Sequence, residues 1–173
     1  MKLRRPFLTA TEREQFAAAL DEARRHTRAR IGLSIDERAS RDPSARAHAL
    51  FRQWDLPEYE RSTAVLVYVC ASSRTFAIIG GDEVRRVTPR SFWDVVDRDL
   101  HHHFDEGRYC DGIFKAIAQV AVQLECHFPR DAEETVQDPP ANIENQSRNP
   151  SPTDPARQRK EGETKGQEKQ RGP

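Results

Sequence analysis

Residues 63–83 read TAVLVYVCASSRTFAIIGGDE, and this stretch decides the fold. Ala64–Ala71 is continuously apolar and rich in β-branched side chains, the pattern of a strand covered on both faces. Ser72 and Ser73 are turn residues, and Thr75–Gly80 returns as a second strand. The two make a tight antiparallel hairpin. Gly80-Gly81-Asp82 then breaks the strand.

Upstream, Ile31, Leu33 and Ile35 alternate with Gly32 and Ser34, the period of a further strand. Between it and the hairpin, Asp42 and Pro43 suit an N-cap and first turn. Ala47, Leu50, Phe51 and Trp54 follow as one helical stripe, which Pro57 ends. Strand, helix, strand is a crossover, so the two strands are expected to be parallel. Before it, Thr9 with Glu12, and Thr11 with Glu14, have capping-box spacing. Phe16, Leu20, Ala23 and Thr27 then predict a helix from about Thr11 to Arg28.

Downstream, Pro89 opens a helix in which Phe92, Val96, Leu100 and His103 or Phe104 share a side. Glu106 and Gly107 interrupt it. A last helix carries Ile113, Ile117, Val120 and Leu124, with Phe114, Ala118 and Ala121 on an adjoining face. Trp54, Trp93, Phe51 and Phe92 lie on helix stripes and are read as core. The expected fold is α/β, a three-layer α/β/α sandwich whose small mixed sheet of three to four strands is flanked by helices.

From Arg130 to Pro173 there is no Leu, Phe, Tyr, Trp, Met or Cys. Such a segment buries too little apolar surface to offset backbone ordering of roughly 1–2 kcal/mol per residue. The chain therefore divides into an N-terminal lead (1–8), one domain (9–129) and a disordered charged, Pro-containing tail (130–173). Lys+Arg 28 balances Asp+Glu 28, which gives no long-range pull toward phosphate backbones, so nucleic acid is not an expected partner. Cys70, Cys110 and Cys126 lack CxxC spacing and read as reduced thiols, Cys110 and Cys126 as buried small hydrophobes. No apolar run approaches a membrane span, and the basic N-terminus has no apolar stretch behind it. A soluble, cytoplasmic protein without direct membrane insertion follows by elimination.

FRQW (51–54), AVLVYV (64–69) and SSRTFAIIGGDE (72–83), then Phe92-Trp93, FDEGRYCDGI (104–113) and His127-Phe128-Pro129, occur in this order. Together they resemble the TPM domain, shared by a thylakoid-lumen acid phosphatase and many bacterial proteins. The resemblance covers nearly all of residues 9–129 and implies an α/β/α sandwich of bacterial type, with an activity unknown for most members. Two motif positions depart from the family. Its members usually carry Glu or Gln before the isoleucine of the first strand, where this chain has Arg30. They also usually carry Asn-Gly-Val-Leu where it has Thr63-Ala64-Val65-Leu66. Gly81-Asp82 is retained.

The topology brings these positions together. With two parallel strands and an antiparallel third, Thr27, Arg30, Thr63, Gly81 and Asp82 are expected at one end of the sheet. A Gly-Gly-Asp turn there offers a carboxylate and backbone N–H groups. In relatives with Glu and Asn, such a set could hold a divalent cation. Here Arg30 is expected to face Asp82 and oppose a cation, leaving a small anion or polar-ligand site, or simply a structural ion pair. Asp36 and Glu37, at the opposite end, are a second candidate pair, weighed against an ordinary charged surface loop.

His101-His102-His103 cannot converge on one ion, because consecutive helical residues point about 100° apart. No resident cofactor is expected, and a divalent cation is the one metal left open as an alternative. The reading is a ligand- or protein-binding accessory module, with a possible protein partner. A phosphatase-like hydrolase of phosphate monoesters is the alternative that the resemblance implies. Oligomeric state is not legible.

Overall fold

The computed structural model describes residues 7–37, 41–131 and 143–145. The first helix, α1 (Ala10–His26), starts at Thr9. Thr9 N–H donates to Glu12 Oε2 at 2.7 Å, and Glu12 N–H donates back to Thr9 Oγ1 at 3.2 Å. This is the capping box expected from the spacing, and it satisfies two N-terminal donors reciprocally. Strand β1 (Ile31–Asp36) follows, then α2 (Pro43–Gln53), whose N-cap Asp42 accepts from Ala45 N–H at 2.9 Å.

A one-turn helix, α3 (Glu58–Ser62), separates α2 from β2 (Val65–Cys70). Strand β3 (Thr75–Gly80) completes the hairpin, and α4 (Asp82–Val87) follows directly. Next come α5 (Arg90–Asp105) and α6 (Tyr109–His127). Neither α3 nor α4 is anticipated by periodicity, since one turn is too short to show a repeat. Helices of that length depend on tertiary contacts.

The sheet order is β3-β2-β1-β4. β1 and β2 are parallel with Ile31 opposite Val65 and Ser34 opposite Tyr68, and β2 and β3 are antiparallel with Leu66 opposite Ile79. The hairpin and the parallel crossover thus stand as expected. β4 (Ile143–Asn145) lies inside the stretch read as unstructured and pairs parallel with Leu33–Ile35. Backbone pairing on an open strand edge needs no large apolar side chain, which is why composition could not reveal it. The other residues of that stretch past Asp131 lie outside the described ones.

Alternation along the strands divides the core. Ile31, Leu33, Ile35, Val65, Val67 and Val69 pack beneath α1, α5 and α6 with Phe16, Leu20, Leu100, Ile113 and Val120. Leu66, Tyr68, Cys70 and Ile79 turn the other way, against Ala47, Leu50 and Phe51 of α2. Helices therefore cover both faces, and the fold is the expected α/β sandwich. Trp54 packs from beside α2 onto Gly32, where an added Cβ would lie 2.6 Å from its ring. Phe51 is buried; Trp54, Phe92 and Trp93 are partly buried against the two clusters.

Candidate functional site

Backbone hydrogen bonds fix the end of the sheet where β1 and β2 begin. Val65 N–H donates to Arg30 C=O at 2.7 Å, and Gly81 N–H donates to Ala64 C=O at 2.8 Å. Arg30, Ala64 and Gly81 thus stand in one row across three strands. The expected convergence of backbone positions holds; the expected chemistry does not.

Arg30 does not face Asp82. Its Nε donates to Glu60 Oε2 at 2.9 Å, with both side chains mostly buried. Asp82 instead pairs with Arg85 one turn along α4 and is well exposed. Helix α3, which periodicity does not reveal, supplies the carboxylate that takes Arg30. Thr27, the C-cap of α1, is buried, and its hydroxyl donates to Phe128 C=O at 2.6 Å and accepts from Ala29 N–H at 3.1 Å. It fastens the end of α1 to the end of α6. Thr63 Oγ1 donates to Glu60 C=O at 3.1 Å, closing α3.

At Gly81 a Cβ would lie 2.2 Å from Arg61 C=O and 2.4 Å from Ser62 C=O, so the backbones of α3 and α4 touch there. Only glycine allows that approach. The N–H groups sought for a ligand at this turn are thereby partly consumed by the fold.

The opposite end, where β1 and β2 finish, is more polar inside than the sequence suggested. Asp36 is buried rather than part of a surface loop, and its Oδ2 accepts from Arg46 Nε of α2 at 3.3 Å. Glu37 is half-buried beside it. Ser34 and Tyr68 are opposite each other on β1 and β2 and share the face that carries Asp36 and Cys70. Both are buried, and among the described residues neither Ser34 Oγ nor Tyr68 Oη has a nitrogen or oxygen hydrogen-bond partner, the Cys70 thiol being the one soft group beside the phenol. Burial pushes the Tyr68 phenol well above its usual range, and the Asp36 carboxylate pushes in the same direction. Its hydroxyl therefore stays protonated, a donor whose neighbour is the weakly accepting Cys70 thiol. Buried hydroxyls left unsatisfied cost roughly 1–3 kcal/mol each and call for an explanation. Cys70 Sγ, next along, lies 3.6 Å from Ser72 Oγ.

Sequence reading missed Ser34, Tyr68 and Arg46. Tyr68 lies in a run that reads as apolar throughout. The available signal was the alternation of β1, which places Gly32, Ser34 and Asp36 on one face while Ile31, Leu33 and Ile35 take the other.

Elsewhere, His101 Nδ1 lies 3.3 Å from Asp97 Oδ2 on an exposed face, and His103 is part-buried with Nδ1 2.7 Å from Asp99 C=O. Among the described residues, no group of three or more His, Cys, Asp or Glu is arranged to hold a metal ion. No cysteine is in a disulfide, and Cys126 is exposed rather than buried, because it lies on the side of α6 away from the buried Leu124. Cys110 Sγ donates to Glu12 Oε1 at 3.2 Å; burial and that carboxylate push its thiol up to about 12. The bond to Thr9 N–H holds Glu12 below the usual carboxylate range. Among the described residues, no helix is long and apolar enough to cross a membrane.

A mixed sheet between helices, with a fastened end and a polar end, defines a compact α/β/α sandwich. The TPM domain family model matches residues 4–123, and the chain belongs to that family. Among solved structures it is similar to the BA42 protein of the psychrophilic bacterium Bizionia argentinensis, with 24% identity and a TM-score of 0.72. That match covers 84% of this chain and 99% of that one. The N-terminal domain of a P. gingivalis protein is also similar, with 17% identity, a TM-score of 0.56, and coverage of 70% of this chain and 79% of that one. No curated protein matches significantly.

Proposed function

We propose that this TPM domain is a binding module, and that a small polar ligand meets it where β1 and β2 end. The observation that carries this is that Ser34 and Tyr68, opposite in register, each bury a hydroxyl with no nitrogen or oxygen partner among the described residues. Beside them, the Arg46 guanidinium, bonded to Asp36 through Nε, offers further N–H groups, and the two hydroxyl oxygens can accept. A molecule presenting both donor and acceptor groups suits that set. The residues expected to bind at the other end, Thr27, Arg30, Thr63 and Gly81, serve the fold in this reading. Asp82 remains the exposed group there, able to touch a partner protein. A cytoplasmic setting agrees with Cys70, Cys110 and Cys126 being thiols.

The competing reading is a phosphatase-like hydrolase, which the family's tie to an acid phosphatase suggests. Metal-assisted phosphoryl transfer needs carboxylates converging on a divalent ion. Asp36 with Glu37 is the nearest approach to that here. Two assays on the full chain separate the readings. The first is thermal shift against inorganic phosphate, amino acids, sugars and small carboxylates. The second is hydrolysis of p-nitrophenyl phosphate with calcium, magnesium, manganese or zinc. The binding module predicts no turnover, and a melting-temperature rise with at least one probe that Tyr68→Phe abolishes. Metal-dependent turnover lost in Asp36→Asn would establish the hydrolase instead.

A further inference from the structure

The two edges of the sheet are treated differently. β4 occupies the outer edge of β1, whereas no strand among the described residues pairs with the outer edge of β3. Hydrogen-bond parity shows which groups that edge presents. Gly81 N–H donates to Ala64 C=O, so residues at even spacing from Gly81 (Ile79, Ala77 and Thr75) bond inward to β2. Phe76, Ile78 and Gly80 therefore turn N–H and C=O outward. The strand reads TFAIIG, so it carries neither the charge nor the proline that often protects an exposed edge.

We propose that β3 is the edge through which two copies of this chain pair, antiparallel, with Ile78 opposite Ile78 of the second copy. Two features bear on this occupant and register. Only outward-facing residues can exchange hydrogen bonds across the edge, and Ile78 on Ile78 makes Phe76 and Gly80 partners too. Arg74, just before the strand, is brought opposite Asp82, just after it, twice over by the two-fold axis. Both side chains are exposed. Within one copy, Arg74 lies 5.5 Å over the Tyr109 ring and Asp82 pairs with Arg85. Surface contacts of that kind are weak enough to exchange. A formal net charge of zero adds no long-range repulsion between copies.

Sedimentation equilibrium of the full chain at micromolar concentrations and low salt tests this. The wild type should form a dimer. Arg74→Glu and Asp82→Arg should each weaken it about tenfold, and the double variant should restore it, as expected for a charge pair across an interface. Restoration cannot come from Tyr109 or Arg85, since the double variant loses both internal contacts. Ile78→Pro, which removes an outward N–H that β2 does not use, should leave a monomer whose circular dichroism is native. If that variant fails to fold, the charge-swap cycle decides alone. A monomeric wild type overturns the proposal, as does a dimer indifferent to all of these changes. A monomer that takes up an added extended peptide at this edge overturns self-pairing as well.

Discussion

Ser34 and Tyr68 stand opposite each other on β1 and β2, both buried, and neither hydroxyl has a nitrogen or oxygen partner among the described residues. A fold that buries polar atoms ordinarily satisfies them, so this pair is conspicuous beside Thr27, whose hydroxyl is bonded on both sides. One end of the sheet spends its polar groups on holding helices together. The other buries two hydroxyls without a nitrogen or oxygen partner among the described residues. That asymmetry is the basis for placing function where the strands finish.

The fastened end makes a sharp prediction. Gly81→Ala puts a methyl group 2.2 Å from Arg61 C=O, and neither backbone can yield without parting α3 from α4. The cost should be about 3 kcal/mol, in the range of overpacking changes. Chemical denaturation measures it, and a loss below about 1 kcal/mol would show, on the same scale, that α3 and α4 are not in contact.

Arg30 and Glu60 can be tested by charge. Arg30→Glu sets two carboxylates face to face in a mostly buried place. Like charges so close cannot both ionise cheaply, so one would be held protonated in the fold. A folded pKa raised above the unfolded value favours the fold at low pH and works against it as pH rises. The variant should therefore lose stability between about pH 5 and 7 relative to wild type, and recover it on acidification. Thermal unfolding across that range reads the effect. A flat difference between the two proteins would mean that residue 30 does not face Glu60.

The cysteines should differ in reactivity. Cys110 is pushed up to about 12 and donates to Glu12, so it stays a thiol at about pH 8, while Cys126 lies exposed at the end of α6. Only the thiolate is nucleophilic. Iodoacetamide should label Cys126 first, with Cys110 slower by roughly a hundredfold or more until the chain unfolds. Peptide mass mapping over time gives the two rates, and equal labelling would contradict the burial of Cys110.

Much of this architecture is legible in the residues. The apolar run of β2, the turn at Ser72-Ser73 and the alternation of β1 carry direct signatures, because side-chain period reports which face is covered. β4 carries none, since main-chain pairing on the β1 edge asks nothing of composition. Helices α3 and α4 are single turns, too short for a period to show. For the site, convergence of Arg30, Thr63 and Gly81 followed from strand direction alone. Which carboxylate meets Arg30 depended on α3, so Glu60 could not be foreseen and Asp82 was the choice that strand direction offered. Tyr68 was hidden by its own strand, where a phenol among valines and a leucine reads as one more core side chain.

The most direct test of the central claim is the stability of Tyr68→Phe in a chain first unfolded and refolded to strip any bound molecule. If the Tyr68 hydroxyl is reserved for something outside the chain, removing it takes away an unsatisfied buried group. The variant should then be as stable as the wild type, or more so by about 1 kcal/mol. A loss of about 1 kcal/mol or more would mean that the hydroxyl is already satisfied within the fold, and the polar end of the sheet would hold no place for a ligand.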